Sequence, residues 1–129
     1  MSLGDAFGAA LARLHEACPE IRGTVLATRE GLILASSGEL SSDAAAASAV
    51  HLADELDRSL ALLSGEGCED MLVWTQAAVW CLVRLEGQSV LMARAGRDCR
   101  AGTLRLAADQ TRRELAHPLA PMTQTPHGL

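Results

Sequence analysis

His15 and Cys18 stand three positions apart in a helical pattern, an interval at which two side chains reach one metal ion. A structural zinc site takes four ligands, and no second pair in the chain completes this one. The two are therefore expected to be packed or surface side chains, and no metal or other cofactor is expected. Cys81 lies in the most apolar run, VWCLVRL, where a small core residue is expected rather than a reactive thiol. Arg29 falls at a loop tip, and Arg97 and Arg100 follow the last strand pattern. A loop arginine could neutralise the charge that develops on a transferring phosphoryl group. The chain contains no lysine, so it has no GxxxxGK[ST] loop, and Gly65-Glu66-Gly67 reads as a turn. It is not expected to hydrolyse nucleotide by itself. His51, on a polar helix face, has the titration range of a switch but reads as a solvated histidine.

Composition narrows the classes further. The 129 residues suit one domain, and 49% apolar residues suffice for a core. No run approaches the ~20 residues of a membrane span. The opening MSLGDAFGAALARLHEA lacks the basic and continuous apolar segments of a secretory signal. Four cysteines with no paired spacing then read as reduced thiols of a cytoplasmic protein. All 11 basic residues are arginine, and lysine, asparagine and tyrosine are absent, which points to a GC-rich, bacterial genome. A net charge of −5 without a basic cluster, and only Phe7, Trp74 and Trp80 as aromatics, argue against nucleic acid.

The element that positions these residues is Ser41 to Leu63, the longest helical pattern. Ser41 or Ser42 caps it, Asp43 suits its positive end, and Gly65 and Gly67 close it. A first helix is expected over Leu3 to Ala17, with Phe7, Ala10, Leu11 and Leu14 inward, ended by Cys18-Pro19. Strands at Gly23–Thr28 and Leu32–Ser36 form a hairpin, with Gly31 in a left-handed position. After the central helix come strands at Met71–Thr75, Val79–Leu85 and Ser89–Ala95. A last helix follows from Asp98, a candidate cap, to His117, with Leu104, Ala107, Ala108, Thr111 and Leu115 inward. Residues 1–117 form the domain and 118–129, with three prolines, a flexible tail. Short links between strands make the sheet antiparallel. The expected fold is α+β, order αββαβββα: five strands between the central helix and the two terminal helices.

On the central helix, Ala45, Ala49, Leu52, Leu56, Leu60 and Leu63 form one stripe, expected to lie on the sheet. Beside it, Ala46, Val50, Ala53 and Ala61 form a strip of small residues around Asp57. Small residues permit close backbone approach, so the strip is expected to meet the same helix of a second copy. The alternative is that alanine is merely the best helix former. Asp57 either pairs with Arg58 of the second copy or sits where the strip opens to water. His51, Asp54, Glu55 and Arg58 lie on the solvated arc, with Asp54 and Arg58 in the favourable i, i+4 order.

The segments GTVLATREGLILASS (Gly23 to Ser37), the alanine-rich helix, and Asp70 to Leu115 resemble the Roadblock family, the dynein-light-chain type of domain. The likeness covers about residues 5 to 116 and includes Gly102 ahead of Leu104-Arg105-Leu106. It implies a homodimer with central helices side by side and the first meander strand pairing across to its mate. Dimer contacts would then involve Ala46, Val50, Ala53, Asp57 and the strand Met71, Leu72, Val73, Trp74 and Thr75. It also implies an adaptor without catalytic chemistry of its own. Stand-alone bacterial members partner a small Ras-like GTPase, in one branch speeding hydrolysis through its switch regions, in another accompanying a sensor kinase complex.

The expected function is thus a homodimeric adaptor that binds such a GTPase through His51, Asp54, Glu55 and Arg58, contributed twice. Two rivals stand beside it: a scaffold subunit of a signalling complex, and a small-molecule sensor. The sensor needs a hollow between helix and sheet, which the leucine stripe would fill.

Overall fold

In the computed structural model, which describes residues 2–123, the first two helices and the first hairpin begin or end on residues suited to those positions. Ser2 opens α1 (Leu3–Ala17) through a capping box, its hydroxyl accepting the Asp5 N–H while the Asp5 carboxylate accepts the Ser2 N–H. Phe7, Ala10, Leu11 and Leu14 are its buried side. The hairpin of β1 (Ile21–Ala27) and β2 (Ile33–Gly38) turns through Gly31 at φ 89°, a conformation in which a side chain would be strained. The Ser42 hydroxyl accepts the Ala45 N–H at the start of α2 (Asp43–Ser64), and Gly65, left-handed at φ 78°, stops it. Next come β3 (Asp70–Trp74), β4 (Ala78–Arg84) and β5 (Val90–Gly96), then α3 (Ala101–Thr123).

The order is the expected αββαβββα. The strands make one antiparallel sheet in the sequence β2-β1-β5-β4-β3, closed at its centre by the pairing of β1 with β5. Alternation along β4 sorts its side chains. Val79, Cys81 and Val83 join the core under α1 and α3, while Trp80 and Leu82 join the one under α2.

Three expectations are corrected. First, α2 is rolled about its axis. Ala46, Ala49, Val50 and Ala53 are its buried residues, packed on Val25, Leu82 and Met92 of its own sheet. Of the strip expected to meet a second copy, Ala46, Val50 and Ala53 are therefore covered within one chain and only Ala61 is exposed, whereas Leu62 and Leu63 are 85% and 82% exposed. The sheet supplies the bulky side chains, so the helix seats closely only where its own are small. Second, α3 does not stop at His117 but continues to Thr123. Pro118 within it sacrifices one backbone hydrogen bond, at about 3 kcal/mol. The fully buried Leu119 returns about 1.5–3 kcal/mol, which keeps that turn on the core. The rest of the expected tail, 124–129, lies outside the described residues. Third, Asp98 lies within a turn, and α3 begins three residues after it, so Asp98 is not its cap.

Candidate functional site

With the alanines turned inward, the outer surface of α2 divides into two flanks. About 70–110° to one side of the buried strip lie Ala45, Leu52, Leu56 and Leu63, and about 90–150° to the other lie Asp54, Arg58 and His51. The partner-face residues His51, Asp54 and Arg58 are exposed and Glu55 is half-buried. Arg58 pairs with Glu55 at i, i+3 rather than with Asp54 at i, i+4.

Asp57 is held within its own chain. Its carboxylate accepts from the Arg84 guanidinium and, at 2.7 Å, from the Cys68 N–H. Arg84 also reaches Asp54 at 3.4 Å and has a side chain only 12% exposed. Sequence reasoning missed this cation, although the signal was there. Arg84 is the one charge in the run VWCLVRL and by alternation faces α2, where Asp57 is the one charge in the small-residue strip. Arg84→Ala should lower stability by about 1–2 kcal/mol in urea unfolding, discounted because Asp57 keeps some water. Asp57→Ala in the same background should add a further cost of about 1 kcal/mol, since the Cys68 N–H then loses its acceptor.

β3 is an outer strand, bonded to β4 alone, so one edge of its backbone faces outward. Met71, Leu72 and Val73 are half-buried and Trp74 is 56% exposed. Thr75 lies past the end of the strand. Its carbonyl accepts from Arg97 at 2.6 Å and its hydroxyl accepts from the Ala77 and Ala78 N–H groups, so it belongs to the turn. Among the candidate loop arginines, Arg97 is thus engaged, and Arg29 and Arg100 are exposed. An open hollow at the C-terminal end of α2 is bounded by Asp57, Glu66, Glu69, Asp70 and Arg84. Its lining of charged groups from α2, the loop after it, β3 and β4 differs from the mostly apolar hollow in which a sensor would enclose its ligand.

His15 does not keep company with Cys18. Its Nε2 meets the Ser37 hydroxyl at 2.7 Å, and Ser37 in turn meets the Thr24 hydroxyl at 2.5 Å. The Cys18 thiol instead lies 3.4 Å from that of Cys99 and 3.6 Å from the Glu20 carboxylate. Burial, and then the neighbouring Cys99, push the Cys18 thiol up to about 12. Burial alone dominates at Cys81, also raised to about 12 from 9.0. Both stay protonated in the folded chain at pH values where the unfolded chain ionises. Between about pH 9 and 12 the folded state therefore binds more protons, and stability falls as pH rises. Cys81 alone gives a slope of about 1.4 kcal/mol per pH unit in that window. Urea midpoints at pH 8 and pH 10.5 would measure it, and Cys81→Ala should flatten the slope.

Neither family models nor curated proteins match this chain. Solved structures do. Myxococcus xanthus MglB superposes with a TM-score of 0.83 at 16% identity, over 95% of this chain and 94% of that one. A structure described as MglB with tetrameric arrangement gives 0.75 at 17% identity, over 88% and 90%. The Roadblock/LC7 domain from Streptomyces avermitilis gives 0.66 at 22% identity, over 81% and 89%. At these identities the likeness is one of fold, and the fold is the Roadblock type.

Proposed function

We propose, from the Roadblock fold, that this chain is a cytoplasmic homodimeric adaptor that binds a small Ras-like GTPase and modulates its nucleotide cycle or localisation. The outward leucine flank of α2 carries the self-association half of the reading. A chain that leaves Leu52 and Leu63 of that flank exposed, Leu63 by more than four-fifths, while turning alanines inward, favours a second surface over them. The outer edge of β3, with Trp74 beside it, suits strand pairing with a mate and would then be hidden from other chains. Like surfaces meeting across a two-fold axis need no further partner to close the assembly. A tetrameric arrangement is recorded for one MglB structure of this fold.

The GTPase half rests on the extent of the likeness to MglB, together with the partnership the family resemblance implies. In the proposed dimer each copy presents His51, Asp54 and Arg58, which lie away from the leucine flank and stay open to a third protein, with Glu55 on the outer arc between them and that flank. These are recognition groups, not a catalytic set, so any change in hydrolysis would come from positioning the GTPase's own residues. The test is co-purification of the full chain with small Ras-like GTPases of the same genome, each loaded with a GTP analogue and then with GDP. Retention in at least one state is expected, and a charge-reversed Arg58→Glu should weaken it. No retention in either state overturns the GTPase reading and leaves the dimer standing.

A further inference from the structure

The end of α1 and the turn before α3 meet at three side chains, Cys18, Cys99 and Glu20. We propose that they form a site for one thiophilic divalent ion of the zinc class. The ion would tie together the two helices that cover one face of the sheet. It does not depend on the adaptor reading.

The spacing suits a common centre. The sulfurs are 3.4 Å apart, Cys18 Sγ is 3.6 Å from Glu20 Oε1, and all three donor atoms lie within 4.8 Å of one another. The nearest point equidistant from three atoms so placed is within about 2.4 Å of each, beside a zinc–thiolate bond of about 2.3 Å. The donor types agree: two sulfurs favour zinc or cadmium over magnesium or calcium, which take oxygen. Three protein ligands leave a fourth, tetrahedral position for water.

The backbone already holds the ligands. The Cys18 N–H donates to Leu14 O and the Cys99 N–H to Gly96 O, fixing both residues in tight turns. Ile21 N–H closes the next turn onto Cys18 O, which brings Glu20 back over the sulfurs. On binding, each thiol gives its proton to solvent and its lone pair to the ion, with no change of oxidation state. Two thiolates and a carboxylate then surround a double positive charge, a better-compensated state than buried thiolates alone.

The same two sulfurs could instead be oxidised to a disulfide. That bond, about 2.05 Å long, has no use for the third donor. Glu20 therefore separates the two outcomes.

The test uses the full reduced chain carrying Cys68→Ser, which removes the partly exposed thiol. Titration with Zn2+ against a chromogenic chelator should give one ion per chain and release about two protons. At a hundredfold excess over Kd the melting temperature should rise by on the order of 10 °C. Cd2+ should produce a sulfur-to-metal charge-transfer absorption. Cys99→Ser should abolish that band and the thermal shift, and Glu20→Gln should weaken binding at least tenfold while the apo protein melts normally. Should Cys18→Ser fail to fold, Cys99→Ser and Glu20→Gln still decide. Failure to bind stoichiometrically overturns the site, as does binding unchanged in both variants. A thermal gain that appears only with an oxidant and ignores Glu20→Gln overturns it in favour of the disulfide.

Discussion

Ala53→Leu should destabilise each protomer by about 3 kcal/mol, the upper part of the range for enlarging a packed residue. Ala53 is 1% exposed and shares a core with Val25, Leu82 and Met92. Three added carbons have no free volume to enter at close-packed density, so either the sheet side chains leave their rotamers or α2 lifts. Lifting would also loosen Ala46, Ala49 and Val50, which lie on the same strip. Leu62→Ala, on the exposed surface, should cost less than about 0.5 kcal/mol to the protomer. Urea unfolding at one fixed protein concentration checks both, because mass action would otherwise mix association into the midpoint. A variant with normal protomer stability but altered association would return the alanine strip to the role of a mate-facing surface.

The second large effect is on assembly. Leu52→Asp combined with Leu63→Asp should turn a particle of twice the chain mass into one of 13.6 kDa at micromolar concentration. Both leucines lie on one flank of α2 and neither belongs to either core of the single chain. In a symmetric pair each substitution appears twice, so four carboxylates would be brought together in an apolar contact and would disfavour it by several kcal/mol. The folded protomer should survive, which circular dichroism and the melting temperature would show. Light scattering supplies the mass. A wild-type chain that scatters as 13.6 kDa at that concentration would remove the dimer outright.

Much of this molecule could be read from local rules. Ser42 before a helical run, Gly65 after it, and Gly31 between two β-rich runs are signals set by backbone chemistry within a few residues. The antiparallel order followed from links too short for crossovers. The buried side of α1 was legible because one stripe there, Phe7, Ala10, Leu11 and Leu14, outweighs every other. The exposure of His51, Asp54 and Arg58 followed in the same way, from polar residues sharing an arc.

The roll of α2 was not legible. Two adjacent stripes on that helix are both apolar, and periodicity ranks the leucines above the alanines because it weighs hydrophobicity and not fit. Only the sheet decides, since Val25, Leu82 and Met92 already fill most of the space and leave room for three alanines and one valine. The same holds for Asp57 with Arg84, 27 residues apart, and for Cys18 with Cys99, 81 apart. The sequence by itself determined the elements, their order and the residues able to do chemistry. Which of those residues meet, and which face of α2 is left for another molecule, was decided by how three helices pack onto one twisted sheet. Such contacts depend on side-chain volume across distant segments, and no local pattern encodes that.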